Sequence, residues 1–209
     1  MKLYYSPGAC SLSPHIVLRE AGIQAELVKV DTKTHTLANG SDYYAINSKG
    51  YVPLLELDNG ERLSEGPVIV QYLADRVPAS GLAPAAGTLE RYRLQEWLNF
   101  ITAELHKQFS PLFADNTPAE YKEITKDKIG KRFDWLSEQL AGKDYLLGKR
   151  FSVADAYLFV MLLWTKFVGI DLGKWPVLVA YQARVAARPK VQEALAAEGL
   201  VKKTEAAAA

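Results

Sequence analysis

The chain has 209 residues, enough for one large domain or two small ones with separate cores. Hydrophobic residues make up 49% and charged residues 23%, the balance of an ordinary globular fold, and 25 Lys+Arg against 24 Asp+Glu leave a formal net charge of +1. Such neutrality, without a basic stripe, argues against nucleic-acid binding, which draws its affinity from neutralised phosphates. The longest apolar run, Ala156 to Trp164, is shorter than the ~18 residues of a spanning helix, so no membrane association is expected. Pro7 and Gly8 interrupt the N-terminal stretch before a leader-like segment can form. One cysteine cannot close an internal disulfide, which fits a reducing compartment. A cytoplasmic location is therefore expected.

The first 77 residues alternate strand and helix patterns. Lys2 to Ser6 reads as a short strand, Pro7-Gly8-Ala9 as a loop, and Ser11 to Ala21 as a helix stopped by Gly22. Ala25 to Asp31 is a second strand, parallel to the first through a right-handed crossover. Residues 32–50 are polar and irregular, with room for one loose helix. Val52 to Leu57 and Glu61 to Ser64 flank Asn59-Gly60, a strong hairpin signal. A helix follows from Glu65 to Val77. Residues 78–88, PASGLAPAAGT, have linker composition and place the domain boundary. Beyond it every pattern is helical: Leu89 to Phe109, Pro118 to Leu140, the apolar run opened by Ser152-Val153-Ala154-Asp155, Trp175 to Arg188, and Lys190 to Glu198. Ser152 with Asp155 has the form of a capping box, and the run after it, lacking a polar face, should be the buried central helix. Thr204-Glu205 and four alanines read as a frayed tail.

Four places carry candidate chemistry. Cys10 lies between a strand and the amino end of a helix, where unpaired N–H groups and the helix dipole lower thiol pKa values; the competing reading is an inert buried cysteine. Val52-Pro53 opens a central strand, a place proline occupies only at a strand entry or in a special turn such as a cis bond. Ser64-Glu65-Gly66 begins a helix, so the Gly66 N–H could take a carboxylate while Glu65 takes an amine, although plain capping by Ser64 explains the same residues. Asn99, Ala103, His106 and Lys107 share one face of a long helix, where His106 could serve a sulfur at the domain interface. His15, His35, His106 and one cysteine show no ligand spacing, so no metal site is expected.

The segments MKLYYSPGACSLSPHIVLRE, Val52-Pro53, SEGPVIVQYLAD, EWLNFITAELHK and FSVADAYLF resemble, in order and spacing, the bacterial beta-class glutathione S-transferases. The resemblance implies an α/β plus all-α architecture: a thioredoxin-like, glutathione-binding domain over residues 1–80, then an all-helical bundle over residues 88–203 carrying an electrophile site. It implies glutathione as co-substrate, a small apolar electrophile as second substrate, and a homodimer. Cys10 and His106 would be catalytic. Val52 before a cis Pro53 would pair with the cysteinyl backbone, and Glu65 and Gly66 would hold the γ-glutamyl end. Asn99, Ala103, Glu104, His106 and Lys107 would approach the ligand from the helical half, some across the dimer. His35 stands where relatives often carry a lysine near the glycyl carboxylate; Lys33 and Ser11 are further candidates. Conjugation and glutathione-dependent disulfide exchange through Cys10 use the same residues. A non-catalytic binding protein on the same fold is the alternative.

Overall fold

The computed structural model describes residues 1–201. Strand β1 (Lys2–Tyr5) and helix α1 (Leu12–Glu20) lead into β2 (Glu26–Asp31), which lies parallel to β1 with Lys2 opposite Glu26. Parallel neighbours require a crossover, and α1 is that crossover. Gly22 takes φ +68°, which L side chains avoid, and it ends the helix as the sequence anticipates. A two-residue strand β3 (Thr36–Leu37) pairs with β2, while β4 (Leu54–Glu56) and β5 (Arg62–Ser64) run antiparallel on the other side. The sheet order is β3-β2-β1-β4-β5, and α2 (Gly66–Arg76) closes this half. Because strand side chains alternate, Leu3 and Leu55 pack with Leu12, Ile16, Ile69 and Leu73 on one face. Tyr4, Val30, Tyr43, Val52 and Leu54 form a smaller core on the other.

Two local expectations change here. Residues 32–50 hold β3 and a single 3-10 turn, Tyr43–Ala45, rather than a loose helix. Tyr43 is fully buried and donates its hydroxyl to the Tyr51 carbonyl at 3.0 Å, so one aromatic side chain fixes a polar segment. The strand expected from Val52 begins only at Leu54, since Pro53 has no N–H to give a ladder.

In the second half, α3 (Leu89–Phe100) continues through a π-helical segment, Ile101–His106, into α4 (Lys107–Phe113), past the expected end at Phe109. Then come α5 (Ala119–Leu140), α6 (Val153–Val168), α7 (Pro176–Ala186) and α8 (Pro189–Ala197). Twelve of the 16 residues of α6 are buried, which is why its sequence has no polar face. Its one carboxylate, Asp155, accepts from the Ser152 and Leu146 N–H groups and the Tyr181 hydroxyl, each at 2.8 Å.

One apolar core runs through both halves, with α1 packed on α6 and α8. Polar contacts then tie the Cys10 loop to the bundle. The Gly8 N–H donates to Glu198 at 2.9 Å, Glu198 meets His15 Nδ1 at 2.8 Å, and the Trp164 indole donates to the Gly8 carbonyl at 2.8 Å. The linker is no free tether: Leu82 is buried and its carbonyl accepts from the Val153 N–H at 3.0 Å. The alanine tail from Thr204 and the last two residues of the expected helical domain lie outside the described residues. Among the described residues no helix is long and apolar enough to cross a membrane, and no cluster of three His, Cys, Asp or Glu side chains could hold a metal ion.

Candidate active site

A cleft of about 320 Å³ opens between the two halves. Cys10, Val52, Pro53, Glu65 and Gly66 line it from the sheet side, and His106 and Lys107 from the helical side. The Val52–Pro53 peptide is cis. Gly66 is the first residue of α2, so its N–H is one of the unpaired donors at a helix amino end. Before it, Glu65 adopts φ +69°, a conformation that costs a residue with a side chain ~1–3 kcal/mol and clusters at ligand sites. The exposed Glu65 carboxylate pairs with Lys49 at 2.8 Å. Ser64 caps nothing, because Glu65 is the N-cap and no side chain bonds the first turn.

The electrostatics of Cys10 differ from the sequence expectation of a depressed thiol pKa. Burial, the largest influence, pushes the thiol up to about 12. The N–H groups of Cys10 and Ser11 and the charge of Lys107 act in the opposite direction without prevailing, and Glu65 adds to the rise. The S–H also has a use: it donates to the Val52 carbonyl at 3.2 Å. His106 is moved the other way. Burial, then Lys107, lowers it to about 4 against a pull from Glu65, so the ring is neutral at pH 7. Thiol and imidazole therefore face the cleft as uncharged groups.

Other sequence candidates sit elsewhere. Ser11 is fully buried and braces the loop, donating to the Ser6 carbonyl at 3.2 Å and accepting from the Ser6 N–H at 3.1 Å. Its hydroxyl is not presented to the cleft. His35 takes φ +54°, stacks on Tyr44 with centroids 4.5 Å apart, and donates from Nδ1 to the Gly50 carbonyl at 3.1 Å. Lys33 is exposed on the same loop. Neither lines the cleft. Asn99 and Ala103 are exposed, and Glu104 pairs with Arg132 of α5 at 2.7 Å. Thr102, His106 and Ser110, a row of i, i+4 neighbours that runs through the π segment, line the cleft in their place.

Comparison with known proteins decides the family. The model described as glutathione S-transferase, N-terminal domain matches residues 8–76, and that of the C-terminal domain matches residues 100–189. Glutathione S-transferase GstA of Escherichia coli O157:H7 is 48% identical over 200 residues, 96% of this chain and 100% of that protein. The chain belongs to the glutathione S-transferase family. Among solved structures, a ternary complex of BphK, a bacterial glutathione S-transferase, matches with TM-score 0.94 and 57% identity over 96% of this chain and 100% of that one. A sphingomonad glutathione S-transferase complexed with glutathione matches with TM-score 0.92 and 51% identity, over the same shares. A beta-class enzyme of Sphingomonas chungbukensis matches with TM-score 0.93 and 49% identity, again over 96% and 100%. The resemblance to the bacterial beta class read from the sequence is thus borne out.

Within this transferase fold the cleft also includes residues that the sequence did not single out: Asn47, Lys49, Thr102, Ser110 and Tyr157. Asn47 donates its amide to the Tyr51 carbonyl at 2.7 Å and so shapes the approach to Val52. Tyr157 lies inside the run AYLFVMLLW and reads as core; a phenolic hydroxyl within an otherwise apolar stretch was the available signal, since a buried hydroxyl needs a partner.

Proposed function

We propose that the protein binds glutathione in this cleft and conjugates it, through its sulfur, to a small apolar electrophile. The observation that carries the reading is the convergence, in a glutathione S-transferase chain, of Val52-Pro53, Glu65-Gly66, Cys10 and His106 on one cleft between the halves. Glutathione lies extended beside Val52, its γ-glutamyl ammonium against Glu65 and its carboxylate on the Gly66 N–H, where the α2 dipole favours an anion. The cysteinyl sulfur then faces Cys10 and His106. As an uncharged donor, the imidazole stabilises a glutathione thiolate without neutralising it, while the Cys10 S–H stays on the Val52 carbonyl. That thiolate attacks the electrophilic carbon, forming the C–S bond as the leaving group departs with its electron pair. Trp164 and the half-exposed Phe113, edge to face at 5.2 Å near His106, supply apolar surface for the second substrate. Because Cys10 is held as a thiol, conjugation by glutathione's own sulfur is favoured over exchange through Cys10.

The same reading makes the protein a cytoplasmic homodimer. Tyr51, Val68, Leu89 and Tyr92 are 48–69% exposed, apolar side chains that a second copy would cover. Asn99, Ala103 and Glu104 would reach ligand only through that second copy. Retention on immobilised glutathione with release by free glutathione, together with turnover of haloaromatics or epoxides, tests the proposal. Retention without turnover of any electrophile would make the chain a binding protein instead, and neither would sink the reading.

A further inference from the structure

His106 is held from behind. Its Nδ1 and the Tyr157 hydroxyl are 2.5 Å apart, the two rings meet edge to face at 5.7 Å, and Trp164 packs edge to face at 5.0 Å. Tyr157 is only 2% exposed on the central helix, yet it lines the cleft with Cys10 and Thr102. A neutral imidazole has one N–H and one lone pair, and which nitrogen holds the proton decides what it offers its surroundings. Burial raises the Tyr157 phenol above its ordinary value, so it keeps its proton. Thr102 donates to the Leu98 carbonyl at 2.8 Å, and His106 Nδ1 is the hydrogen-bond partner found for the Tyr157 hydroxyl among the described residues. His106 Nε2 has no partner among the described residues and is not a fully buried orphan, so it opens on the cleft.

We propose that Tyr157 is a positioning residue: its O–H donates to His106 Nδ1, fixes the ring proton on Nε2, and presents a neutral N–H donor to the cleft. That the donor serves the glutathione sulfur rests on the function proposed above; the tautomer does not. With the proton on Nδ1, the ring would turn a lone pair toward a thiolate and repel it.

Long-range proton–nitrogen correlation spectra of 15N-labelled protein at pH 7 read the tautomer directly. The expected result is the Nε2–H form, turning to a mixture in Tyr157→Phe, a change that removes only the hydroxyl. For a chloronitroarene, that variant should lose about tenfold in kcat, with KM for glutathione nearly unchanged, as the loss of one transition-state hydrogen bond predicts. An Nδ1–H ring in the parent, or an unaltered tautomer in a folded Tyr157→Phe, overturns the proposal. The Nε2–H form in a parent that neither binds glutathione nor turns over would sink the glutathione reading and leave the tautomer assignment standing.

Discussion

Free access of a small disulfide reagent to Cys10 would reveal whether burial or the helix amino end governs its thiol. The group is pushed up to about 12 from an ordinary 9.0, which lowers the thiolate fraction at neutral pH about a thousandfold. A more basic thiolate is a better nucleophile, and a Brønsted slope of ~0.4–0.5 returns about 20-fold of that loss. The folded protein should therefore react about 50-fold more slowly than an unfolded chain's cysteine. Stopped-flow mixing with a chromogenic aromatic disulfide from pH 6 to 10, folded and in urea, measures both rates. The folded rate should rise with pH throughout, with no inflection. Steric shielding alone lowers the rate but leaves the inflection near the ordinary thiol value. An inflection between pH 6 and 8 would refute the reasoning, because the Cys10 and Ser11 amides and Lys107 would then outweigh desolvation. The same result would restore exchange through Cys10 as a principal activity.

Asp155→Ala orphans the buried Leu146 and Ser152 N–H groups and the Tyr181 hydroxyl, and should cost about 3–5 kcal/mol. An unchanged urea midpoint, at fixed protein concentration, would show that those donors find other partners. His106 titrates near 4 in the fold and near 6.5 when unfolded, so the unfolded chain binds the extra proton in that window. Stability should fall as pH drops from 6.5 to 4, by at most ~1.4 kcal/mol per pH unit, and His106→Asn should flatten that part of the curve. Equal slopes in parent and variant would remove His106 as the cause. Glu65→Gln breaks an exposed pair with Lys49, so stability should change by less than ~0.5 kcal/mol while calorimetry shows glutathione binding weakened about tenfold. Unaltered affinity would mean that Glu65 does not meet the ligand. Sedimentation at micromolar concentration should give a dimer, and a monomer would remove Asn99, Ala103 and Glu104 from any site.

What could be read from sequence alone were the features governed by neighbours along the chain. Strand–helix–strand alternation, Asn59-Gly60, Gly22 and the all-apolar stretch after Ser152 each follow from local periodicity or backbone preference, and each has its counterpart in the fold. Cys10, Val52-Pro53, Glu65-Gly66 and His106 were legible for a related reason: each marks a break in a pattern, and the breaks meet in one cleft. The tertiary structure decided the rest. No periodicity announces a π segment, and it is the fold that puts Thr102 and Ser110, rather than Asn99 and Ala103, beside His106 in the chain's own cleft. Nor does local sequence weigh a helix dipole against desolvation. Position in the chain gave Cys10 its amide neighbours, but the side chains folded over it from distant segments raise its pKa, since the cost of charge depends on everything nearby in space.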